Sequence, residues 1–543
     1  MTVCPTQIEY RPLRTPQEDR TALIDPAFDE IGALVEENLQ RRTAYDYDVQ
    51  GRTLADLSRQ ARRELLREAR RWTAAYRDVD SAVDPAGLIF LAGHQPQLFH
   101  PGVWLKNFAL GYLAGRHGAT AVNLLIDSDT VKETTLKVPG GTVDRPQVEA
   151  MAFDRHGPMI PYEERRILDR ACFADFGRRV AERIASLVPD PLIRTYWPLA
   201  QRRLQATDNL GACLAQSRHA LEADMGCETL EVPQSRVCDT EPFLWFVAHL
   251  LARLPQLRDV YNGAARQYRR VHRIRSTAHP VPDLSADGPW LEAPLWVFSA
   301  DDPRRRPLFA RRRGKEIEIS DRQQLQIGLP LSPDGNAAEA VQRLIELRSQ
   351  GLTIRSRALI TTLWARIVLG DLFVHGIGGA KYDHLTDALI EQFFHLQPPR
   401  FMIISATLYL PIERRRVTVE HARVIRRQLR ELTYHPERYV GPSKDDGKGG
   451  AEDPTELVVA KNRWIKTSQT PQNARARYRA IRQINEALQP WVAAQRQELL
   501  QRQTQTDRAI QAESLLGWRG YGFCLHREET LREFIAGLLP KSA

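Results

Sequence analysis

Two polar, glycine-containing segments, each placed between a predicted strand and a helical pattern, do most to restrict how this 543-residue chain can fold. The first follows the apolar run 88–92 and reads GHQPQLFHPG over 93–102. The second follows the predicted strand 371–374 and reads HGIGGAKYD over 375–383. In α/β proteins, a strand, a polar glycine loop and a helix in this order bind anionic ligands, because helix N-termini carry unpaired N–H groups and a partial positive charge. If the two segments face each other across one sheet, they frame a single active site.

The residues after the first segment predict a βαβ unit. Apolar spacing indicates a helix over 103–117, ended by Gly118, and a second strand over 121–126. The connection in such a unit is right-handed. Downstream, 385–394 is typical of a helix and 401–405 of a buried strand. We therefore predict an α/β fold with a Rossmann-like parallel-sheet core interrupted by insertions.

Changes in this pattern divide the chain into six segments. Arginine-rich stretches with sparse apolar positions at 417–432 and 475–503, separated by a polar loop at 441–454, predict a C-terminal antiparallel helical hairpin that resembles a coiled coil. The predicted division is an N-terminal helical segment over 1–80, the first half of the core over 81–134, inserted connecting segments over 135–350, the second half of the core over 351–411, the hairpin over 412–520 and a C-terminal segment packing on the body over 521–543.

Composition and charge argue against several classes of protein. A content of 43% hydrophobic and 26% charged residues is typical of a soluble globular protein, and we expect neither a signal peptide nor a membrane partner. The six cysteines form no Cys-x-x-Cys pair, which favours reduced thiols in a cytoplasmic protein. The net charge of +9 is carried mostly by arginine. Because no nucleic-acid-binding module is recognisable, we interpret the arginine clusters as solvated faces or as walls of an anion site, and a nucleic-acid partner is disfavoured.

The first glycine segment supplies one expected catalytic group and several ligand-binding groups. We expect His94 to stabilise charge during catalysis and the helix entered through Pro101 to direct the amides of 103–106 at a phosphate or carboxylate. The alternative is that His94 bonds only to loop backbone and that His100 caps the helix. The expected ligand-binding residues of this segment are Gly93, Gln95, His100, Gly102 and Lys106.

Two acidic residues end the second predicted strand. Asp127 and Asp129 lie at the carboxyl end of that strand, the edge at which open α/β sheets bind ligands. Such carboxylates hold a ribose, an amine or Mg²⁺, and we expect a catalytic role for Asp127 and ligand binding for Asp129. The alternative interpretation is that they cap a helix or a turn.

The second glycine segment supplies the other half of the expected site. Its glycines allow backbone amides to approach a ligand closely, and Lys381 would neutralise anionic charge as a catalytic residue. The alternative is a tight structural turn with a solvated lysine. The expected ligand-binding residues here are Gly376, Gly378, Gly379, Tyr382 and Asp383.

A third group of polar residues lies in the inserted region. His279 and Asp283 project from a proline-stiffened loop, and Glu292 lies between Trp290 and Trp296. These residues could wall a small-molecule pocket, with His279, Asp283 and Glu292 binding the ligand. The alternative is a structural proline turn beside an edge strand with core tryptophans.

The order of these features resembles the BshC family, to which the cysteine-adding ligase step of bacillithiol biosynthesis is ascribed. The likeness rests on a polar loop after a strand, a helix entered through Pro-Gly, an acidic strand end and a later Gly-Gly segment, with the residues Gln95, Phe99, Pro101, Gly102, Lys106 and Tyr382. The resemblance implies a Rossmann-like core, inserted connecting segments and a C-terminal coiled coil. The stretch from His94 to Pro96 is also similar to the opening of WbqC-like proteins.

The chain departs from the BshC pattern at both segments. Family members carry Thr-Gly-Gln-Gln where this chain has GHQP from Gly93 to Pro96, and they carry Glu near the place of Lys381. Because these changes alter the local charge, we expect a different substrate.

Together these features predict a ligase or group-transfer enzyme for a small metabolite. An adenine or cytidine nucleotide, or another phosphorylated ligand, is expected between the loops 93–106 and 375–383, and the residues leave the need for Mg²⁺ open. The helical hairpin predicts a homodimer. Two alternatives remain: a non-catalytic binding or assembly protein that dimerises through the hairpin, and a nucleic-acid-binding protein that uses its arginine-rich faces.

Overall fold

The chain has a mixed α/β structure that falls into two compact units. The computed structural model describes residues 8, 10, 12–79, 87–414, 417–440 and 454–540. The first unit comprises Met1–Val138, Glu149–Pro411 and Arg519–Ala543, and the second comprises Pro139–Val148 and Ile412–Trp518.

The strands form two larger sheets and one hairpin. In chain order they are β1 (Thr21–Asp25), β2 (Ile89–His94), β3 (Thr120–Leu125), β4 (Thr135–Thr142), β5 (Arg145–Ala152), β6 (Leu230–Pro233), β7 (Ala286–Asp287), β8 (Trp290–Ser299), β9 (Arg306–Arg313), β10 (Glu316–Ser320), β11 (Gln326–Leu329), β12 (Leu352–Ser356), β13 (Leu372–His375) and β14 (Met402–Thr407).

Twelve of the described helices of the first unit lie between these strands in the chain. They are α1 (Ile31–Thr43), α2 (Leu54–Thr73), α3 (Pro101–His117), α4 (Arg170–Ile184), α5 (Ile193–Arg203), α6 (Leu210–Asp224), α7 (Gln234–Cys238), α8 (Glu241–Ala252), α9 (Leu254–Val271), α10 (Ala338–Ser349), α11 (Ala358–Trp364) and α12 (Ile377–Gln392). A π-helical turn at Ala365–Leu369 continues α11.

Six strands make the first sheet, in the order β1-β14-β13-β2-β3-β6. All neighbours pair in parallel except β1, which runs antiparallel to β14. The chain starts the parallel part at β2, moves outward through β3 to β6, and later returns to β13 on the other side of β2. The carboxyl ends of β2 and β13 are therefore adjacent, and we call the edge where the parallel strands end the carboxyl edge.

Helices cover both faces of this sheet. Helix α3 packs on β14, β2 and β3, and it ends at Gly118, whose φ of 62° is in the left-handed region that glycine tolerates. On the opposite face, the apolar residues of α2 and α12 share a core with alternate residues of the strands, such as Ile89 and Leu91. The sequence predicted the β2–α3–β3 unit to within two residues at each boundary.

The region 135–350 is more than a set of connections. It provides β6 to the first sheet, and most of a second, antiparallel sheet of order β11-β10-β9-β8-β12 with β7 paired to β8. Strand β12 lies at the start of the segment predicted as the second half of the core, but it pairs with β8 of the second sheet. Glu318 of β10 forms ion pairs with Arg311 and Arg313 of β9, which link the two strands.

The second unit contains four described helices, where the sequence predicted two. They are α13 (Val419–Tyr434), α14 (Pro454–Lys466), α15 (Ala474–Ala487) and α16 (Ala493–Leu516). Helix α13 packs on α16, and α14 packs on α15. The predicted stretch 475–503 is broken at Gln489–Val492, where Pro490 stands in a short 3₁₀ turn. Residues 441–453 of the predicted loop lie outside the described residues.

The C-terminal segment belongs to the first unit and contains a 3₁₀ turn at Phe523–Leu525 and helix α17 (Glu528–Leu538). Phe523 contacts Phe99 and Trp104, and its amide donates to the Phe99 carbonyl. Across the described ranges, no helix combines the length and the apolar character needed to cross a membrane.

Candidate functional site

The two glycine segments meet at the carboxyl edge of the first sheet. Ala92 of β2 pairs with Val374 of β13, so the loop after β2 and the start of α12 leave neighbouring strands at the same edge. This adjacency is the geometry that one shared site requires.

The second segment is a helix rather than a loop. Helix α12 begins at Ile377, directly after Gly376, so its glycines and the residues up to Asp383 lie in the first two turns. The expected helix start at residue 385 is therefore wrong by eight residues. The cause is the pair Gly378-Gly379, whose low helix propensity hides the start of the helix in the apolar pattern.

The two glycines have different surroundings. A Cβ added at Gly379 would lie 2.6 Å from Nδ1 of His375, so only glycine lets the helix pack on this ring. A Cβ added at Gly378 would meet no atom within 4 Å. The first turn of α12 is thus open at Gly378, and a ligand can approach the unpaired amides of a helix N-terminus there.

Below this open turn lies a buried ionic cluster. Asp383 accepts hydrogen bonds from His375 Nε2 at 3.0 Å and from Arg366 at 2.7 Å. Arg366 also donates to Asp387 at 2.7 Å. Burial alone would raise the pKa of Asp383, but the Arg366 guanidinium and His375 lower it below its usual value. Asp383 is therefore an ionised anchor of α12 and an orienting partner of His375, rather than a ligand-facing cap.

Lys381 and Tyr382 lie in different environments on the second turn of α12. Lys381 is exposed, and its amine makes no hydrogen bond within the described part of the chain. Tyr382 is partly buried, and burial followed by nearby Asp383 and Asp129 raises its pKa to about 12. The proximity of Tyr382 to Asp129 connects α12 with the end of β3.

Asp129 connects three parts of the chain. It accepts a hydrogen bond from Gln95 Nε2 at 3.1 Å and another from Arg305 at 3.0 Å. Arg305 also donates to the Ser128 carbonyl at 2.7 Å. The structure therefore brings together Gln95 and Asp129, both predicted from sequence, and adds Arg305. Arg305 stands in the run 304–306, one of the arginine clusters interpreted as solvated faces or as walls of an anion site, but the sequence alone did not single it out.

Two arginines pack against Trp296 next to Asp129. The guanidinium of Arg305 lies 5.0 Å from the ring centroid of Trp296, and that of Arg357 lies 4.1 Å from it. Trp296 and the two arginines thus form a strand wall next to Asp129.

The predicted residue Glu292 supports this wall. It accepts a hydrogen bond from Arg357 at 2.7 Å, and it also accepts from the amide and the hydroxyl of Ser285. Burial would raise the pKa of Glu292, but the Ser285 hydrogen bonds and the Arg357 guanidinium hold it below its usual value. Glu292 therefore holds Arg357 in place as an ionised carboxylate.

The other two residues of the predicted third group serve a different purpose. Asp283 binds Arg269 at 2.7 Å, and Arg269 also donates to the His279 carbonyl at 2.9 Å. The side chain of His279 is exposed. Arg269 thereby ties the proline-containing loop to α9, which agrees with the structural interpretation of these residues. The prediction of one pocket from His279 to Trp296 is therefore wrong. His279 and Asp283 lie in a turn held by Arg269, whereas Glu292 and Trp296 lie on a strand beside Asp129.

On the first loop, His94 lies at the edge of a buried polar network. Its Nδ1 is 2.9 Å from the Gln95 carbonyl oxygen, and its Nε2 is 3.3 Å from Asn107 Oδ1. Asn107 in turn donates to Glu222 at 2.7 Å. Burial, together with two cationic neighbours, lowers the pKa of His94 well below its usual value, so the ring is neutral at pH 7.

Lys106, one of these neighbours, is buried rather than directed at a ligand. Its Nζ donates to the Gly93 carbonyl at 2.6 Å. Burial, and secondarily Arg218, lowers its pKa to about 7. Because Lys106 and Arg218 both disfavour a charge on His94, protonation of the lysine and protonation of the imidazole oppose each other.

The start of α3 is closed, contrary to the expected anion site at 103–106. His100 accepts a hydrogen bond from the Gly102 amide at 3.1 Å, and the amides of Val103 and Trp104 donate to the His100 carbonyl. A Cβ added at Gly102 would lie 1.8 Å from the Ala406 carbonyl oxygen. His100 is therefore the helix cap, the alternative given above, and Gly102 permits close packing on β14.

Asp127 also has a capping role. It accepts from the backbone amide of Ser235 at 2.9 Å and from the Ser235 hydroxyl, at the start of α7. Burial, with Glu163 nearby, raises its pKa to about 7. Asp127 thus joins the ends of β3 and β6 and stands beside the site, whereas Asp129 faces it.

Comparison with known proteins identifies no family: neither any family model nor any curated protein matches this chain.

Proposed function

We propose that the protein is a divergent BshC-like enzyme with a Rossmann-like core that binds a nucleotide or another phosphorylated metabolite at the carboxyl edge. The order β6-β3-β2-β13-β14 supports this proposal, because in chain order it corresponds to the 3-2-1-4-5 arrangement of doubly wound sheets. Such sheets bind ligands where the strand order reverses, which here is between β2 and β13. The second sheet within the region 135–350 and the helical second unit also agree with the inserted segments and the C-terminal coiled coil that the resemblance implies.

The open first turn of α12 is the observation that carries the proposal. It lies at the strand reversal, its Gly378 leaves the helix N-terminus accessible, and exposed Lys381 follows within one turn. Unpaired amides and a lysine together favour phosphate or carboxylate groups. Because the start of α3 is closed, α12 is the phosphate-binding helix of this proposal.

Polar residues near α12 can bind the part of the ligand that carries no phosphate. Gln95, Asp129 and Arg305 form a hydrogen-bonded chain beside Tyr382. In the proposed reaction Lys381 stabilises charge on the transferred or activated group, and His94 provides a neutral imidazole at the end of β2. Asp129 orients a hydroxyl or amine of the ligand. Asp127, which joins the ends of β3 and β6, holds these strand ends in place beside it.

Calorimetric titration with ATP, ADP and CTP, each with and without Mg²⁺, tests the proposal. Saturable binding is expected for at least one nucleotide, and Lys381→Ala should weaken it about 10-fold, the effect of losing about 1.4 kcal/mol of charge-assisted binding. Lys315→Ala is the matched control, because Lys315 is an exposed lysine on the turn between β9 and β10.

Two outcomes would count against this function. The absence of nucleotide binding under all conditions would remove the nucleotide from the proposal. Binding that is unchanged in Lys381→Ala would move the ligand away from α12. Circular dichroism of both variants checks that the folded state is retained.

A further inference from the structure

The positive charge of the protein is concentrated in its second unit. This unit contains 21 Lys and Arg residues against 14 Asp and Glu residues, a net charge of +7 within the +9 of the whole chain. The first unit is almost neutral for its size. The excess of basic residues therefore belongs to the unit that contains the helices α13 to α16.

Acidic partners neutralise much of this charge on α13. Three of its exposed arginines form ion pairs along or across the helices, namely Arg423 with Glu420, Arg426 with Asp507 and Arg427 with Glu431. Exposed pairs of this kind contribute little to stability, but they reduce the field available to an outside ligand.

Helix α15 differs from α13. Arg475, Tyr478, Arg479 and Arg482 occupy positions i, i+3, i+4 and i+7 of α15, so they lie on one face of the helix. The ring of Tyr478 is 65% exposed. Among the described residues, no ion pair involves Arg475 or Arg479, whereas Arg482 bonds to Glu486 at 2.8 Å. We call Arg475, Tyr478, Arg479 and Arg482 the α15 stripe.

We propose that the α15 stripe binds single-stranded nucleic acid, RNA or DNA, which is an activity beyond the proposed metabolite site. The stripe extends over about 10 Å of the helix axis, which is too long for one phosphate and suits successive phosphates of a backbone. An exposed tyrosine between the arginines offers a ring on which a base can stack. A surface on which several guanidinium groups surround an exposed aromatic ring has the chemistry that binds flexible single strands.

The experiment measures fluorescence anisotropy of the full-length protein with labelled oligo-uridine and oligo-thymidine of about 20 nucleotides over a range of salt concentrations. The logarithm of the affinity is expected to fall linearly with the logarithm of the salt concentration. Because each phosphate contact in a single strand contributes about 0.7 to this slope, the triple variant Arg475→Gln, Arg479→Gln, Arg482→Gln should lower the slope by about 2.

The matched control removes the same amount of charge elsewhere. Arg63, Arg166 and Arg202 are exposed arginines of the first unit, and their triple change to glutamine should leave the slope unchanged. An equal fall in both triple variants would overturn the assignment to α15, since it would mean that net charge alone drives the binding.

A second variant tests the stacking part of the proposal. Tyr478→Ala should weaken binding about 5- to 100-fold without changing the salt slope, as expected for the loss of one stacked base. The control is Tyr434→Ala, because Tyr434 is also an exposed tyrosine of the second unit, 57% accessible, but lies on α13.

Three further results would overturn the proposal: no binding of either oligonucleotide at about 50 mM salt, equal losses for the two tyrosine variants, or binding to phosphatidylserine vesicles without binding to oligonucleotides. Nucleotide calorimetry on the same α15 variants keeps the two proposals distinguishable, because their affinity for ATP, ADP or CTP should match that of the unchanged protein.

Discussion

Two helices begin at the carboxyl edge of the first sheet, α3 after β2 and α12 after β13, and they begin in opposite ways. Helix α3 is closed at its start by the His100 cap and by the contact of Gly102 with β14. Helix α12 is open at Gly378. Two segments with similar composition therefore differ in structure: the start of α3 is closely packed, whereas the start of α12 is open at Gly378, where we propose that a ligand binds.

The difference extends to how each helix is anchored. Helix α12 is held from below by ionised Asp383 with Arg366 and His375. Helix α3 is tied to the sheet by Lys106, an amine whose pKa is lowered to about 7 and which bonds to the Gly93 carbonyl. The first turn of α12 is open at Gly378, and the buried ionic cluster fixes the second turn of the helix.

The largest expected effect follows from removing the anchor of α12. Asp383→Asn should lower the free energy of unfolding by about 3 kcal/mol, because it removes one of the two carboxylates that pair with the buried Arg366 guanidinium and the carboxylate that pairs with His375. Urea denaturation measures this loss. Asp208→Asn is the control, because it breaks only an exposed pair with Arg166 and should cost less than about 1 kcal/mol. Similar losses in the two variants would contradict the anchoring role.

A smaller effect is expected at the closed helix. Gly102→Ala should destabilise the protein by about 1–3 kcal/mol, because the new methyl group would overlap the Ala406 carbonyl oxygen and force α3 away from β14. The same change at Gly115, on the same helix, meets no atom within 4 Å and should be neutral or stabilising. Thermal unfolding of both variants makes the comparison, and equal melting temperatures would show that α3 does not need the close approach.

The sequence predicted the local elements of this comparison better than their roles. The pattern placed β2, α3 and β3 correctly because each is a continuous run with a clear end, such as Gly118. It placed the start of α12 too late, because Gly378 and Gly379 are weak helix formers. The cap at His100 and the packing at Gly102 depend on the position of β14, which local spacing does not contain.

The site itself was predicted only in part, for a related reason. Gln95 and Asp129 lie 34 positions apart within one βαβ unit, so their meeting follows from local topology. Arg305 is 176 positions from Asp129 and reaches it from the loop that leads into β9 of the second sheet, whose strands carry paired charges. His375 reaches Asp383 because residues 377–383 are helical. The sequence predicted a loop there, and a loop gave no reason to pair the two residues.

The smallest expected effect concerns the anchor of α3 and depends on pH. The pKa of Lys106 falls from 10.5 to about 7 in the folded protein, first because of burial and then because of Arg218. Between these values the unfolded chain holds a proton that the folded protein has released, so rising pH stabilises the folded state. Lys106→Met lacks this group and should lack this contribution.

The measurement is urea denaturation of the unchanged protein and of Lys106→Met at about pH 7 and pH 8, with the difference in free energy of unfolding taken at each pH. This difference should move in favour of the unchanged protein by about 1 kcal/mol, since one pKa unit corresponds to about 1.4 kcal/mol and the group is about half titrated at the lower pH. Taking the difference removes the titration of Asp127 and Glu231, whose pKa values are also raised to about 7 by burial. A difference that stays constant would mean that Lys106 keeps its proton when buried, and the contrast between an ionic anchor for α12 and a neutral one for α3 would fail.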